Sequence, residues 1–205
     1  IGQLNEMFTA STVPVSTADG VFAGNYIYLG LFQPTNQSNW LGNLKKFGLS
    51  DNGTILDKLG NPAANDSGTI FDNATSYWST TADGPQVAAG GAGELLRDRA
   101  TNRVLYTYTG SNSALTHSSN LFATTNTVLT AATSADPPGF GLSTDDIAAV
   151  HRGVAEDWPL GSLLHFQPLV EHYDIDNDGT YDGTNDKSVI FVGGNDGLLH
   201  CFDDS

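Results

Sequence analysis

Apolar and polar side chains alternate along much of this chain with a period of two, and the helical period of three to four is rare. In residues 21–34, VFAGNYIYLGLFQP, Tyr26 and Tyr28 oppose Ile27 and Leu29, which predicts a strand that ends at Pro34. Residues 44–49 predict a second strand, returned onto residues 54–57 through SDNG, because Asp-Asn-Gly supplies the positive φ angles of a tight hairpin. RVLYTYTG, residues 103–110, reads as another strand with Val104, Tyr106 and Tyr108 on one side. LVEHY (169–173) and KSVIFVG (187–193) are β-branched and aromatic. Residues 189–192 and 198–202 flank the turn GGNDG, which makes them the strongest hairpin in the chain.

Helix is scarce by the same reading. STDDIAAVHRG (143–153) carries Ser143 or Thr144 as N-cap, Asp145 and Asp146 in the first turn and Gly153 as terminator. AGELLRDRA (92–100) predicts a turn or two, and residues 111–140, rich in Ser, Thr, Asn, Ala and Pro, predict loop with one or two short strands. The expected class is therefore mainly β, built of antiparallel hairpins with one or two short helices.

The interval between LVEHY and KSVIFVG carries the most specific chemistry. In DIDNDGTYDGTND, Asp174, Asp176 and Asp178 alternate ahead of Gly179, and Asp182 follows. Alternate side chains of a curled loop converge on one point, and a glycine at the sixth position lets the chain turn while the next carbonyl, that of Thr180, points inward. Hard Ca²⁺ takes six to eight oxygens, so Asp174, Asp176, Asp178, the Thr180 carbonyl and Asp182 form a candidate calcium set. The twelfth position, where a helix-loop-helix calcium site places a bidentate Glu, holds Asn185, and the thirteenth holds Asp186. The last ligand stays open between these two, and the flanks read as strand-loop-strand.

Charge and composition narrow the partners. The chain has 205 residues, a net charge of −15 and only eight Lys and Arg, so it lacks the basic face that nucleic acid requires. No apolar run is long enough to span a bilayer, and none at the start reads as a signal peptide. The single Cys201 excludes an internal disulfide and, between His200 and Phe202, is expected as a buried free thiol. Few lysines, many Ser, Thr, Asn and Gly, and a calcium loop together suggest an exported protein. Neither GxSxG nor HExxH occurs, Ser162 with His165 reads as a satisfied turn, and the five histidines lack zinc-ligand spacing. Trp40, Trp78 and Trp158 are expected as core anchors.

Four stretches carry a family resemblance: LFQPTNQSNWLGNLKKFGL, SYWSTTADGPQVAAGGAGELL, RVLYTYTG, and GSLLHFQPLVEHYD with VIFVGGNDGLLHCFDDS. Together they resemble the PilC/PilY family of type IV pilus tip-associated proteins, in the segment that leads into the C-terminal β-propeller. The resemblance implies residues 1–160 as a β-rich region with long loops and residues 161–205 as opening propeller-blade strands carrying the Asp-rich loop. It further implies a secreted, non-enzymatic adhesin or pilus assembly factor at the cell surface or pilus, whose partners are minor pilins and a surface or host receptor. Propellers of that family can carry a calcium loop, whose pattern Asp174, Asp176, Asp178 and Asp182 match. One blade cannot close a propeller, so the rest is expected in cis or as another chain added by strand pairing. Two alternatives remain at this point. One is a subunit of an extracellular filament completed by strand addition. The other is a fragment of a quinoprotein dehydrogenase propeller binding pyrroloquinoline quinone, since NDGxLHxFD is also similar to those blades.

Overall fold

The computed structural model describes residues 8–14, 26–34, 40–99, 101, 103–135, 139–153, 158–180 and 185–204. The chain divides into two compact units, one formed by residues 1–98 with 157–205 and the other by residues 99–156.

The first unit holds two antiparallel sheets. β1 (Phe8–Pro14), β2 (Tyr26–Gln33), β3 (Leu41–Leu49) and β4 (Ile55–Leu56) form a four-stranded sheet in sequence order. β5 (Leu169–Tyr173), β6 (Lys187–Gly193) and β7 (Leu199–Asp203) form a three-stranded one. Neither sheet closes on itself among the described residues. The chain is thus mainly β, as the alternation predicts, and both hairpins expected from turn chemistry are present: Leu49 pairs with Ile55 across SDNG, and Gly193 pairs with Leu199 across GGNDG. β1 was not foreseen in the pattern, and residues 21–25 of the expected second strand lie outside the described residues.

β2 and β3 are buried on both faces. One face presents Ile27, Leu29, Leu31 and Phe47 to Ala63, Ala74 and Val87 of the irregular segment that follows β4. The other presents Tyr28 and Leu44 to Ala92, Leu160, Leu163 and, from β6, Ile190 and Val192. Each fully buried Leu, Ile or Phe removes enough apolar surface from water to contribute about 1.5–3 kcal/mol. The three tryptophans serve these packings. Trp158 is buried and donates Nε1–H to the Gly42 carbonyl at 2.7 Å, Trp40 stacks on Phe32, and Trp78 lies beside Tyr28.

A strand with two buried faces cannot send polar side chains to water, yet β3 reads Asn-Leu-Lys-Lys-Phe. Lys45 is fully buried and its Nζ lies 2.8 Å from Asp83 Oδ2, while also donating to the carbonyls of Asp83 and Gly84 at 2.9 Å. Asp83 in turn accepts from Ser76 N–H and Oγ–H, each at 2.8 Å. Asn43 donates to the carbonyls of Val87, Ala89 and Gly90 and accepts from Leu44 and Gly93 N–H. Burial pulls the Lys45 ammonium below its ordinary pKa, only partly offset by the Asp83 charge. Gly91, at φ 60°, sits so close to β3 that a Cβ there would fall 2.6 Å from the Leu44 carbonyl oxygen. Gly91 is also the first residue of α1 (Gly91–Arg97), which forms where AGELLRDRA predicts a turn or two of helix.

On the other face, Lys46 pairs with Asp204 at 2.8 Å, stands 3.8 Å from the Tyr26 ring centroid and leaves Asp204 Oδ2 to accept the Tyr28 hydroxyl. The GGNDG turn is docked as well: Ser162 N–H donates to Asn195 Oδ1 at 2.7 Å, Gly161 N–H to Asp196 Oδ2, and His200 Nε2 to the same carboxylate at 2.9 Å. Burial alone would push the Asp196 carboxyl up, but the hydrogen bond and charge of His200, with the Leu198 and Gly161 N–H groups, outweigh it and hold the pKa below the usual range.

In the second unit, α3 (Thr144–Arg152) matches the helix predicted at 143–153, down to a reciprocal capping box between Ser143 and Asp146 and Gly153 at the end. Arg103 covers its C-terminal carbonyls, donating to Val150 at 2.7 Å and His151 at 3.2 Å. Residues 118–120 form a turn of 3₁₀ helix and Thr127–Thr130 form α2, where the composition predicted loop with short strands. RVLYTYTG is extended but is not a strand of a sheet. Among the described residues it makes one bridge, Tyr106 to Leu121, with residues 120–122 as its short neighbour.

Two outcomes follow. Replacing Asp83 with Asn leaves a buried ammonium without its counter-charge, so chemical denaturation should show a loss of about 3–5 kcal/mol. Asp196 holds its proton less readily folded than unfolded. Its contribution is therefore complete above the ordinary aspartate pKa of about 3.9 and is lost as pH falls from there through the lower folded value. Melting temperatures of the protein and its Asp196→Asn variant, measured from pH 7 to pH 3, should converge toward the acid end; a constant gap would contradict the assignment.

Candidate metal centre

The Asp-rich loop springs from a two-stranded ladder. β5 and β6 pair from Leu169 opposite Phe191 down to Tyr173 opposite Lys187. Carried one rung further, the same register sets Asp174 opposite Asp186. The two aspartates therefore flank the mouth of the loop, and Asp186 Oδ1 accepts from Ile175 N–H at 2.8 Å. Strands on both sides, and no helix on either, agree with the strand-loop-strand reading.

Within the loop the backbone folds onto its own carboxylates. Asp174 accepts from Asp178 N–H at 3.2 Å and from Gly179 N–H at 2.9 Å, Asp176 accepts from Asp178 N–H, and Asp178 accepts from Thr180 N–H at 2.8 Å. Asn177 at φ 58° and Gly179 at φ 86° are both left-handed, a conformation that Asn tolerates and Gly adopts freely. These turns draw one oxygen each of Asp174, Asp176 and Asp186 to within 4.8 Å of one another.

Each expected ligand can now be placed. Asp174 and Asp176 converge as their alternation implies. Asp178 lies in the same loop with its carboxylate turned to Thr180 N–H, and is not part of the converging trio. Thr180 is described and exposed, whereas Asp182 lies outside the described residues. Of the two residues left open for the last position, Asp186 joins the trio and Asn185 donates Nδ2–H to Asp176 Oδ2 at 3.1 Å. The signal for Asp186 was available in the sequence: it directly precedes the β6 run as Asp174 directly follows the β5 run.

The chemistry of the trio is that of a hard-cation site. All three groups are carboxylates, Asp174 and Asp186 are half-buried, and three like charges so close repel unless protons, hydrogen bonds or a cation offset them. The trio could hold a metal ion through oxygen alone, a donor set that suits calcium, magnesium or manganese over zinc or copper.

Other candidates resolve differently. Ser162 is buried, its Oγ accepts from Leu164 N–H at 3.3 Å, and His165 is exposed. Cys201 departs from expectation: the thiol is exposed, because β7 buries only His200 and, in part, Phe202, and the pleat turns Cys201 to the opposite face. Desolvation against the sheet, and then the Asp203 charge, push the thiol pKa up, so it is a poor nucleophile. No helix among the described residues is long and apolar enough to cross a membrane. Comparison with protein-family models, curated proteins and solved structures returns no match.

Proposed function

We propose that this chain is a non-enzymatic, calcium-binding β module of an exported pilus tip-associated protein of the PilC/PilY kind, in which the cation locks the β5–β6 hairpin. The observation that carries the calcium reading is the convergence of Asp174, Asp176 and Asp186 at the mouth of a ladder whose strand β6 is anchored in the core through Ile190 and Val192. Neutralising the trio removes the repulsion that opposes closing the hairpin. The pilus reading is supported by three of the four resemblance stretches meeting within the first unit: WLGNLKKF packs on SYWS and DGPQVAAGGAG through Lys45, Asn43 and Asp83, and NDGLLH docks on Gly161–Ser162. Motifs that interlock are a single structural unit rather than separate coincidences of composition. On this reading β5–β7 open a propeller blade, and the protein promotes pilus assembly and surface adhesion through minor pilins and a surface receptor.

A second reading, a sheet of another chain stacked on this one, is favoured by the outer face of β5–β7. Leu169, Phe191 and Cys201 form one continuous row across the three strands, with Leu169 and Cys201 exposed and Leu199 exposed beside them. Such a face fits a sheet stacked on it, whether the next blade in cis or a sheet supplied by another chain.

Calcium at one hundred times its Kd should raise the unfolding free energy by about 2.7 kcal/mol, read as an upward shift in melting temperature. Asp174→Ala and Asp186→Ala should each abolish that shift without lowering the melting temperature in chelator. Isothermal titration without heat at millimolar calcium would end the calcium reading. Separately, the full chain immobilised with calcium should retain purified minor pilins. Failure to retain any of them, with calcium binding intact, would remove the pilus assignment alone.

A further inference from the structure

Lys45 and Asp83 are shut off from water together: their side chains are 0% and 1% exposed, with Nζ 2.8 Å from Asp83 Oδ2. Nζ is fixed by its further donations to the carbonyls of Asp83 and Gly84 at 2.9 Å, which commit all three of its protons. The carboxyl is fixed from the other side. Ser76 N–H donates to Oδ1 and Ser76 Oγ–H to Oδ2, each at 2.8 Å, and Ser79 Oγ stands 2.6 Å from Ser76 Oγ. Gly91 closes over the lysine stem, where a Cβ would fall 3.0 Å from Lys45 Cγ. An amine and a carboxyl are thus held in contact, without water, by groups that cannot swing away.

Three properties of this contact favour a covalent bond over the ion pair. Burial penalises both charges, and condensation to an amide removes both at once. Burial also pulls the Lys45 ammonium below its ordinary pKa against the opposing charges of Asp83 and Glu94, so the amine gives up a proton more readily than in water. Fixed proximity makes the condensation intramolecular, and exclusion of water removes the reactant of the reverse hydrolysis. The neighbouring pair Lys46–Asp204 serves as an internal contrast. Its Nζ–Oδ1 distance is also 2.8 Å, but both side chains are 7% exposed and the Lys46 ammonium is drawn over the Tyr26 ring.

We propose that Lys45 and Asp83 condense into an intramolecular isopeptide bond, for which the observed ion pair is the reactant state. Nζ passes one proton to Oδ2, giving a neutral amine and a neutral acid, and its lone pair attacks Cγ. Charge that develops on Oδ1 is taken up by the Ser76 N–H. The Nζ–Cγ bond forms, a second Nζ proton reaches Oδ2 through Ser76 Oγ, and the Cγ–Oδ2 bond breaks to release one water. An ammonium and a carboxylate become a neutral amide and water, so atoms and charge balance without an oxidant or a co-reactant. The proton left on the amide nitrogen keeps the Asp83 or Gly84 carbonyl as its acceptor. The bond ties β3 to the irregular segment ahead of α1 and closes the chain between residues 45 and 83 into a loop, which narrows the unfolded ensemble.

The test is the intact mass of the full chain, held folded at neutral pH and then denatured. The parent should weigh one water less than its sequence, and tandem spectra of a digest should contain one branched peptide that joins Lys45 to Asp83. Lys45→Arg and Asp83→Ala should each keep the full sequence mass, a readout that does not depend on how well either variant folds. Ser76→Ala leaves the pair in place and should reach the lighter mass about a hundredfold more slowly, as expected when a positioned proton-transfer group is lost; an unchanged rate overturns the role given to Ser76. Full sequence mass in the parent after prolonged incubation overturns the proposal. A deficit that persists in Lys45→Arg overturns it as well, because loss of water to a succinimide at Asp83–Gly84 would then account for the mass.

Discussion

The buried ammonium of Lys45 is the constraint on which the first unit depends. Because β3 is covered on both faces, that charge has no route to water and must find its partners inside. It finds them in Asp83 and two backbone carbonyls, and Asp83 needs Ser76 to complete its own shell. A well-packed apolar pair could match such an ion pair in stability, because desolvation offsets much of the attraction. What an apolar pair lacks is direction. The Lys45 and Asn43 hydrogen bonds specify which carbonyls lie over β3, and so impose one path on residues 76–93, most of which have no regular structure before α1.

From that fixed sheet the geometry of the acidic loop follows by contact. The face of β2 and β3 opposite Lys45 packs on Ile190 and Val192 of β6, and Lys46 draws in Asp204 just beyond β7. β6 is thereby anchored along its inward side, its register with β5 is set, and the rung after Tyr173–Lys187 carries the two aspartates. The loop contributes Asp176 and the turns, and the ladder contributes the separation of Asp174 and Asp186. A cation there would act on a hairpin whose far end is already rigid, so its binding reads out as stability of the β5–β6 pair.

What the sequence disclosed, and what it withheld, separates by range. SDNG, GGNDG and the Ser143 capping box are local: the residues that form each turn or cap are neighbours in the chain, and their chemistry is legible there. The alternation of Asp174 and Asp176 is equally local. Lys45 and Asp83 are far apart in sequence, and nothing near either residue names the other; only the inward position of a lysine in an otherwise buried strand hints at a partner. Cys201 departs from its expected burial for a related reason, since a strand between apolar neighbours does not disclose whether one face or two are covered. RVLYTYTG has the pattern of a strand, but a strand exists only by pairing, and residues 120–122 supply little of it. Asp186 lay between these cases. The sequence leaves it open beside Asn185, and only the extended register of two placed strands chooses it.

The three-stranded sheet raises the remaining physical question, because its two faces are not treated alike. Its inner face contributes Ile190 and Val192 to the core, while its outer face shows the row Leu169–Phe191–Cys201 and the side chain of Leu199, which is 73% exposed. An antiparallel sheet with one solvated face normally places polar residues there, as Glu171, Lys187 and Asp203 do at the end nearest the acidic loop. The polar end is also where Lys187 and Asp203 pair across strands at 2.7 Å. The outer face therefore grades from a charged end beside the loop to an apolar end beside the GGNDG turn. A sheet stacked on it would bury the apolar end and leave the charged end, with its carboxylate trio, open to solvent. That division keeps Asp174, Asp176 and Asp186 accessible whether or not the apolar end is covered.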